Sequence, residues 1–298
     1  MELRDLQYFL AVAQEGNISA ASNVLHVAQP SLSRQMKELE EELGKTLFIR
    51  GSRKITLTEE GLILSKRAEE MLLLMRKTEK EIADTNENII GDLYIGAAET
   101  KSLHYLTKAA AILHESHPNV HFHIASGDTT DTLYQLEQGL IDFALLYIIP
   151  EWEHYNHIEL PIADRCGVLM RRDSPLAEKE SVSFKDDLID KPLIISRLVR
   201  GQIIPGTDIS ELNVIATYNL AYNASLMVKD GLGYAICFDS IINTNSDDND
   251  SLCFVPLPEL QIPLRPIVMW KKHQALSKAA ERFIDILREV IAESSADE

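Results

Sequence analysis

Between Gln29 and Lys37 the chain reads QPSLSRQMK, and these residue types suit contact with a double-helical polyanion. Arg34 can pair with a guanine edge through two donors, Gln29 with an adenine, and the ring of Pro30 can lie against a thymine methyl. Ser31, Ser33 and Lys37 are suited to phosphate oxygens, contacts that position a helix without reading sequence. Further along, Arg50, Arg53 and Lys54 surround Gly51 and Ser52 and can reach the backbone or an adjacent minor groove. The competing reading is that these residues are only the solvated side of an amphipathic helix.

The elements around them decide whether the residues can act together. Leu32, Met36, Leu39 and Leu43 recur at spacings of three and four and predict the buried stripe of a helix over 29–43, with Pro30 in its first turn. At about 100° per residue the other side carries Pro30, Arg34 and Lys37, then Glu38 and Glu41. Cations and hydroxyls crowd the first two turns and carboxylates the last. Only the N-terminal half can therefore approach phosphate, and the helix dipole favours an anion at that end.

An earlier helix is predicted from Leu3 to Glu15, packing Leu6, Phe9, Leu10 and Ala13 and stopping at Gly16. Ser19 is placed to cap a short second helix that packs through Ala20, Ala21, Val24 and Leu25. The order is helix, turn, helix. Residues 45–58, KTLFIRGSRKITLT, read as a small hairpin or wing. From Glu59 a long helix carries Leu64, Ala68, Met71, Met75, Thr78 and Ile82 in heptad-type steps, a seam for its own domain or for a twin helix. Residues 86–91 end it. Beyond Gly91, DLYIGAA, VHFHIA, DFALLYI, CGVLM, PLIIS, YAICF and RPIVMW read as strands with helices between most of them, an α/β pattern. Val120, Phe122 and Ile124 are expected on one face of the second strand. The acidic run at 244–250 reads as a solvated loop, and 278 onwards as a closing helix.

Composition agrees with a globular chain: 298 residues, 45% hydrophobic and 25% charged, enough for two or three compact units. The net charge of -17 argues against a protein coated in nucleic acid, but residues 1–60 hold seven Lys/Arg against nine Asp/Glu, so the excess acid lies mostly elsewhere. The start does not read as a signal peptide, and no run is long enough to span a membrane. Cys166, Cys237 and Cys253, odd in number and widely spaced, fit a reducing cytosol and small core residues.

The run AVAQEGNISAASNVLHVAQPSLSRQMKELEEELGKTLFIRGSRKITLTEEG resembles the winged helix-turn-helix of LysR-type transcriptional regulators, through AVAQEGNISAAS, QPSLS, LEEELG, the LF-R spacing and LTEEG. IGAAE, HPNVHFHI, LEQGLIDFALL and VKDGLGYAICF fall where that family has its effector-binding region. The resemblance implies an N-terminal all-α winged helix-turn-helix (1–60) and a linker and dimerisation helix (61–90). It then implies an α/β effector domain (91–298) of the type 2 periplasmic-binding-protein fold. Its two subdomains would be 91–163 with 266–298, and 164–265, joined by two crossing strands as a hinge. By the same resemblance Gln29, Pro30, Ser33, Arg34 and Arg53 are base or groove contacts, and the seam at Leu64 to Ile82 pairs protomers of a homodimer or homotetramer. Ala28 departs from the family pattern, in which Ser or Thr caps this helix, a loss of order 1 kcal/mol.

In such a fold a small ligand lies between the subdomains against strand ends and helix N-termini. The implied effector residues are Glu99, Thr100, Lys101 and Ser102; Ser126, Asp128 and Thr129; Tyr147; and Ser196 and Arg197. Thr100 and Ser102 precede a helix expected from Leu103, an end suited to a carboxylate, which Arg197 could clamp. Glu99 and Asp128 favour a ligand that also carries an amine, so a small carboxylate or amino acid is expected. The family's Leu-Pro after the VKDGLG strand is Phe238-Asp239 here.

Enzyme chemistry finds no foothold. His104, His114, His117, His121 and His123 lack a metal-ligand arrangement, GLG at 231–233 precedes a strand instead of following one, and there is no nucleophile elbow. The expectation is a cytoplasmic bacterial DNA-binding regulator without metal, cofactor or membrane partner. The rival is a cytosolic solute sensor whose N-terminal helices serve assembly alone.

Overall fold

The computed structural model describes residues 1–51, 54–83, 89–147, 152–197, 212–244, 251–260 and 265–296. Of Arg50 only the backbone is described, and Arg53 lies outside the described residues. The chain divides into two units, 1–83 and 84–298.

The first unit runs α1 (Leu3–Glu15), α2 (Ile18–Val24), α3 (Gln29–Leu43), β1 (Phe48–Arg50), β2 (Ile55–Leu57) and α4 (Glu59–Ala83). Its core joins Phe9 and Val12 of α1, Ala21 of α2, Leu32, Met36 and Leu39 of α3, and Leu47 and Phe48 at the hairpin. Phe9 and Phe48 pack with their rings tilted, 5.1 Å between centroids. The cap of α2 is Asn17, not Ser19: the Asn17 side chain accepts from Ser19 N at 2.8 Å and Ala20 N at 3.2 Å. The reason is geometric. Asn17 is the extended residue before the first turn, from which a short side chain reaches those amides, whereas Ser19 already lies inside the helix. The stripe of α3 also ends earlier than its spacing implies, because Leu43, in the last residue before Gly44 turns the chain at φ 64°, is exposed. The hairpin is antiparallel, Phe48 opposite Leu57. Three hydrogen bonds seat it: Glu40 of α3 accepts from Leu47 N (2.7 Å) and Phe48 N (3.2 Å), and Ile55 N donates to Gly16 O (2.7 Å).

The heptad seam divides in two. Leu64, Ala68 and Met75 face α1 together with Leu72, which the spacing missed, and pack around Leu6 and Leu10. Met71, Thr78 and Ile82 are exposed, and Ile63 and Leu74 share their side of α4. Helical geometry sets this second stripe roughly a quarter turn from the first.

The second unit holds two five-stranded sheets. One has the order β4-β3-β5-β12-β6 and the other β11-β7-β10-β8-β9. The first comprises β3 (Gly91–Ala97), β4 (Val120–Ser126), β5 (Phe143–Leu146), β6 (Tyr155–Glu159) and β12 (Ile267–Lys271). Here β3 is parallel to both neighbours, while β12 returns from the second sheet to lie antiparallel between β5 and β6. Helices α5 (Leu103–Ser116) and α8 (Lys278–Ala296) cover one face around Phe143, Phe283 and Leu106, and α6 (Thr129–Glu137) covers the other through Leu136. On β4 the predicted apolar face fades along the strand: Val120 is buried, Phe122 half-buried and Ile124 exposed, because β4 is a sheet edge.

The second sheet comprises β7 (Cys166–Arg171), β8 (Leu193–Ser196), β9 (Val214–Tyr218), β10 (Tyr234–Phe238) and β11 (Leu252–Pro256), with α7 (Ala221–Lys229) packed on one face. Strand β7 is antiparallel to β10 and β11, and β8 is parallel to β10 and β9. The chain thus crosses between the sheets twice, after β6 and before β12.

Candidate nucleic-acid interface and ligand cleft

On α3, Gln29, Pro30, Ser31, Arg34 and Lys37 are exposed and Ser33 is half-buried. No side chain caps the helix at Ala28, so its first amides face outward without an internal carboxylate or hydroxyl. The two cations each hold a carboxylate one turn behind: Arg34 Nε meets Glu38 Oε1 at 2.7 Å and Lys37 Nζ meets Glu41 Oε1 at 3.1 Å. The Glu38 hydrogen bond and charge push the Arg34 guanidinium further up, so it is cationic throughout the physiological range. Pairs this exposed are held weakly and exchange readily for a phosphate or base edge. They also keep the side chains extended along the helix and the carboxylates to its rear. Lys54 is exposed beside the wing, its side chain against Gly16.

The region between the two sheets of the second unit differs in character. Asp164, at the first crossing between the sheets, is 3% exposed. Its Oδ2 accepts from Thr100 Oγ1 at 2.6 Å, Ser102 Oγ at 3.0 Å and Tyr147 OH at 2.6 Å. Burial and then the Asp164 charge push the Tyr147 phenol far above its ordinary range, which keeps it a donor. Thr100 and Ser102 are both buried, and their hydroxyls donate to a carboxylate of the chain itself.

Around them, Glu99, Lys101 and Asp128 each meet a group of the other sheet's subdomain. Glu99 accepts a hydrogen bond from Ala221 N, at the start of α7, where Leu220 supplies no side-chain cap. Lys101 Nζ pairs with Asp239 Oδ1 at 3.0 Å, and Arg165 donates Nε (3.1 Å) and Nη2 (3.0 Å) to Asp239 Oδ2. Burial works to raise the Asp239 carboxyl, but the Lys101 and Arg165 hydrogen bonds outweigh it and hold it below the usual range. Arg197 Nη2 approaches Asp128 Oδ2 at 3.7 Å, while Asp128 Oδ1 caps α6 through Asp131 N at 2.9 Å. Thr129 begins that helix, Ser126 ends β4 exposed, and Ser196 ends β8 half-buried. The expected residues thus come together at the ends of β3, β4 and β8, while Asp164, Arg165 and the start of α7, which join them, were not among those expected. Their signal was positional only, since each follows a crossing or a strand whose partner is far away in the chain.

Among the described residues no group of three or more His, Cys, Asp or Glu is arranged to hold a metal ion, and no helix is long and apolar enough to cross a membrane.

Residues 3–62 match the bacterial regulatory helix-turn-helix proteins of the lysR family, and residues 86–292 match the LysR substrate binding domain. The chain belongs to the LysR family. It is 28% identical over 294 residues to the HTH-type transcriptional regulator BsdA of Bacillus subtilis (strain 168), covering 96% of this chain and 100% of that one. It is 32% identical over 196 residues to the DNA-binding transcriptional dual regulator OxyR of Escherichia coli (strain K12). That match covers 65% of this chain and 64% of OxyR. The same 64% holds for the hydrogen peroxide-inducible genes activator of Pectobacterium carotovorum subsp. carotovorum. Among solved structures, full-length CbnR complexed with its target DNA superimposes with a TM-score of 0.72 at 21% identity, covering 97% of this chain and 100% of that one, a likeness of fold.

Proposed function

We propose that the chain is a sequence-specific, DNA-binding transcriptional regulator, without catalytic activity of its own, acting in the cytoplasm where DNA is at hand. The observation that carries this reading is the start of α3: an uncapped helix end with Gln29, Pro30, Ser31, Arg34 and Lys37 outward and the acidic residues confined behind. An element of this kind enters a major groove by its first two turns, with Lys54 and the wing against the backbone. The crystallised complex of CbnR with its target DNA supports the same use of the fold. The exposed stripe of Ile63, Met71, Leu74 and Ile82 on α4 is read as the seam to a twin helix, which supplies a second head for a palindromic site.

A small molecule between the two sheets of the second unit controls the regulator by shifting subdomain closure. Support comes from the contacts of Glu99, Lys101 and Asp128 with Ala221, Asp239 and Arg197, since any ligand entering there must exchange with them. The test is fluorescence anisotropy of the full chain on DNA carrying its preferred sequence and on scrambled DNA. Arg34→Ala weakens the first about tenfold or more and the second little, whereas Lys37→Ala weakens both and lowers the salt dependence. Equal binding of both DNAs, unaltered by Arg34→Ala, would favour the solute-sensor alternative.

A further inference from the structure

Among the charged groups between the two sheets of the second unit, Asp164 is answered differently from the rest. Lys101 and Arg165 pair with Asp239, Arg197 approaches Asp128, and Glu99 lies on the amide of Ala221. Asp164, 3% exposed, meets no cation among the described residues. Its Oδ2 accepts the hydroxyls of Thr100, Ser102 and Tyr147, and its buried Oδ1 has no hydrogen-bond partner among the described residues. A carboxylate out of water is costly unless it has a counter-charge and donors for both oxygens, and three neutral hydroxyls on one oxygen supply neither. Its field is felt close by: burial first, and then the Asp164 charge, push the Cys166 thiol up to about 12.

The surroundings narrow what completes this carboxylate. A fitting group donates a hydrogen bond and carries positive charge, which excludes a bare anion. A metal ion would need further ligands, and no group of three or more His, Cys, Asp or Glu is gathered for one among the described residues. Beside the carboxylate stands an aromatic pair. Tyr147, whose OH lies 2.6 Å from Asp164 Oδ2, packs its ring against Phe238 of the other subdomain, with centroids 4.7 Å apart. Aromatic faces attract organic cations, most strongly where water is excluded.

We propose that the effector carries a protonated primary amine, held by Asp164 Oδ1 beside the Tyr147–Phe238 pair. The inference rests on the reading above that a small molecule binds between the two sheets, and it names the chemical class of that molecule. Coupling to closure is direct. Tyr147 belongs to the first subdomain, Phe238 to the second and Asp164 to the crossing between them, so a cation shared by all three draws the subdomains together.

Calorimetric titration of the full chain at neutral pH with butylamine, butyrate and 1-butanol, which share one skeleton and differ in the head group, tests this. Butylamine is expected to bind about tenfold more tightly than either of the others. Asp164→Asn, which keeps an oxygen for the three hydroxyls and removes the charge, should abolish that preference. Phe238→Leu should weaken butylamine about threefold. Tyr147→Phe relieves Asp164 of one donor and should leave butylamine bound at least as tightly as in wild type, an outcome that a merely structural role for the cluster would not give. Each variant is checked first for native circular dichroism, and the Phe238 and Tyr147 variants carry the test should Asp164→Asn not fold. Equal affinity for amine and alcohol overturns the proposal, as does butylamine binding unchanged by Asp164→Asn. Tighter binding of butyrate overturns the amine while leaving the ligand site standing, whereas binding of none of the three counts against both.

Discussion

The start of α3 and the cleft of the second unit treat polar groups in opposite ways. On α3 the helix end is uncapped, and among the described residues Arg34 and Lys37 pair on their own helix, one turn away. In the cleft the equally uncapped start of α7 is closed by Glu99, more than a hundred residues distant, and the hydroxyls of Thr100, Ser102 and Tyr147 converge on Asp164. The contrast teaches that an unanswered helix end means different things by place. Facing solvent, it is available to a foreign anion; inside a hinge, it is answered by the chain's own carboxylate.

The largest effect that can break this comparison comes from Asp164. Asp164→Ala leaves two buried hydroxyls and the half-buried Tyr147 phenol without their acceptor and should lower unfolding stability by about 3 kcal/mol, read by denaturant titration. A loss below about 0.5 kcal/mol would mean that the cluster contributes no net stability. A smaller change, of the opposite sign, is expected at the other end of the comparison. Ala28→Ser supplies the missing cap to α3, whose preceding residue already has the extended geometry a cap needs, and should stabilise the head by about 1 kcal/mol. No rise in melting temperature would show that the open end costs the helix nothing.

Smaller again is a pH effect. Since Asp239 titrates below its ordinary range in the folded chain, the stability it contributes is fully present above ~4, the unfolded carboxyl value, and is lost as pH falls through the lower folded value. Asp239→Asn should therefore flatten the acid limb of the stability profile, measured by chemical unfolding from neutral to acid pH. An acid limb identical to wild type would assign the dependence to other carboxyls. Least of all should peroxide act. Burial pushes the Cys166 and Cys237 thiols up to about 12 and raises Cys253 as well, so little reactive thiolate forms. DNA affinity should be unchanged by hydrogen peroxide; a peroxide-dependent shift in anisotropy would contradict this.

What could be read from residues alone follows the same division. The first unit is built from local contacts, so Leu32, Met36 and Leu39 announced their helix face, and Gly51 with its flanking β-formers announced the hairpin. Strands β6, β9 and β11 escaped notice because they are short, and their place is set by partners elsewhere in the sheets. Asp164 escaped for a related reason, and Asp239 stood out only as a departure from the family's Leu-Pro, without its partners. Nothing near them in the chain distinguishes them from turn residues, and their roles arise only when Thr100, Lys101 and Tyr147 arrive from another sheet. The α4 seam was half legible, since spacing locates apolar positions but does not tell which of two adjacent stripes turns inward.

Glu40 carries a further consequence. Because one carboxylate of α3 grips the two amides that open the hairpin, wing and helix are welded into a single instrument. Under the proposed function, a signal would then have to swing or re-space whole heads, as one moves a key in a lock, instead of filing its individual teeth.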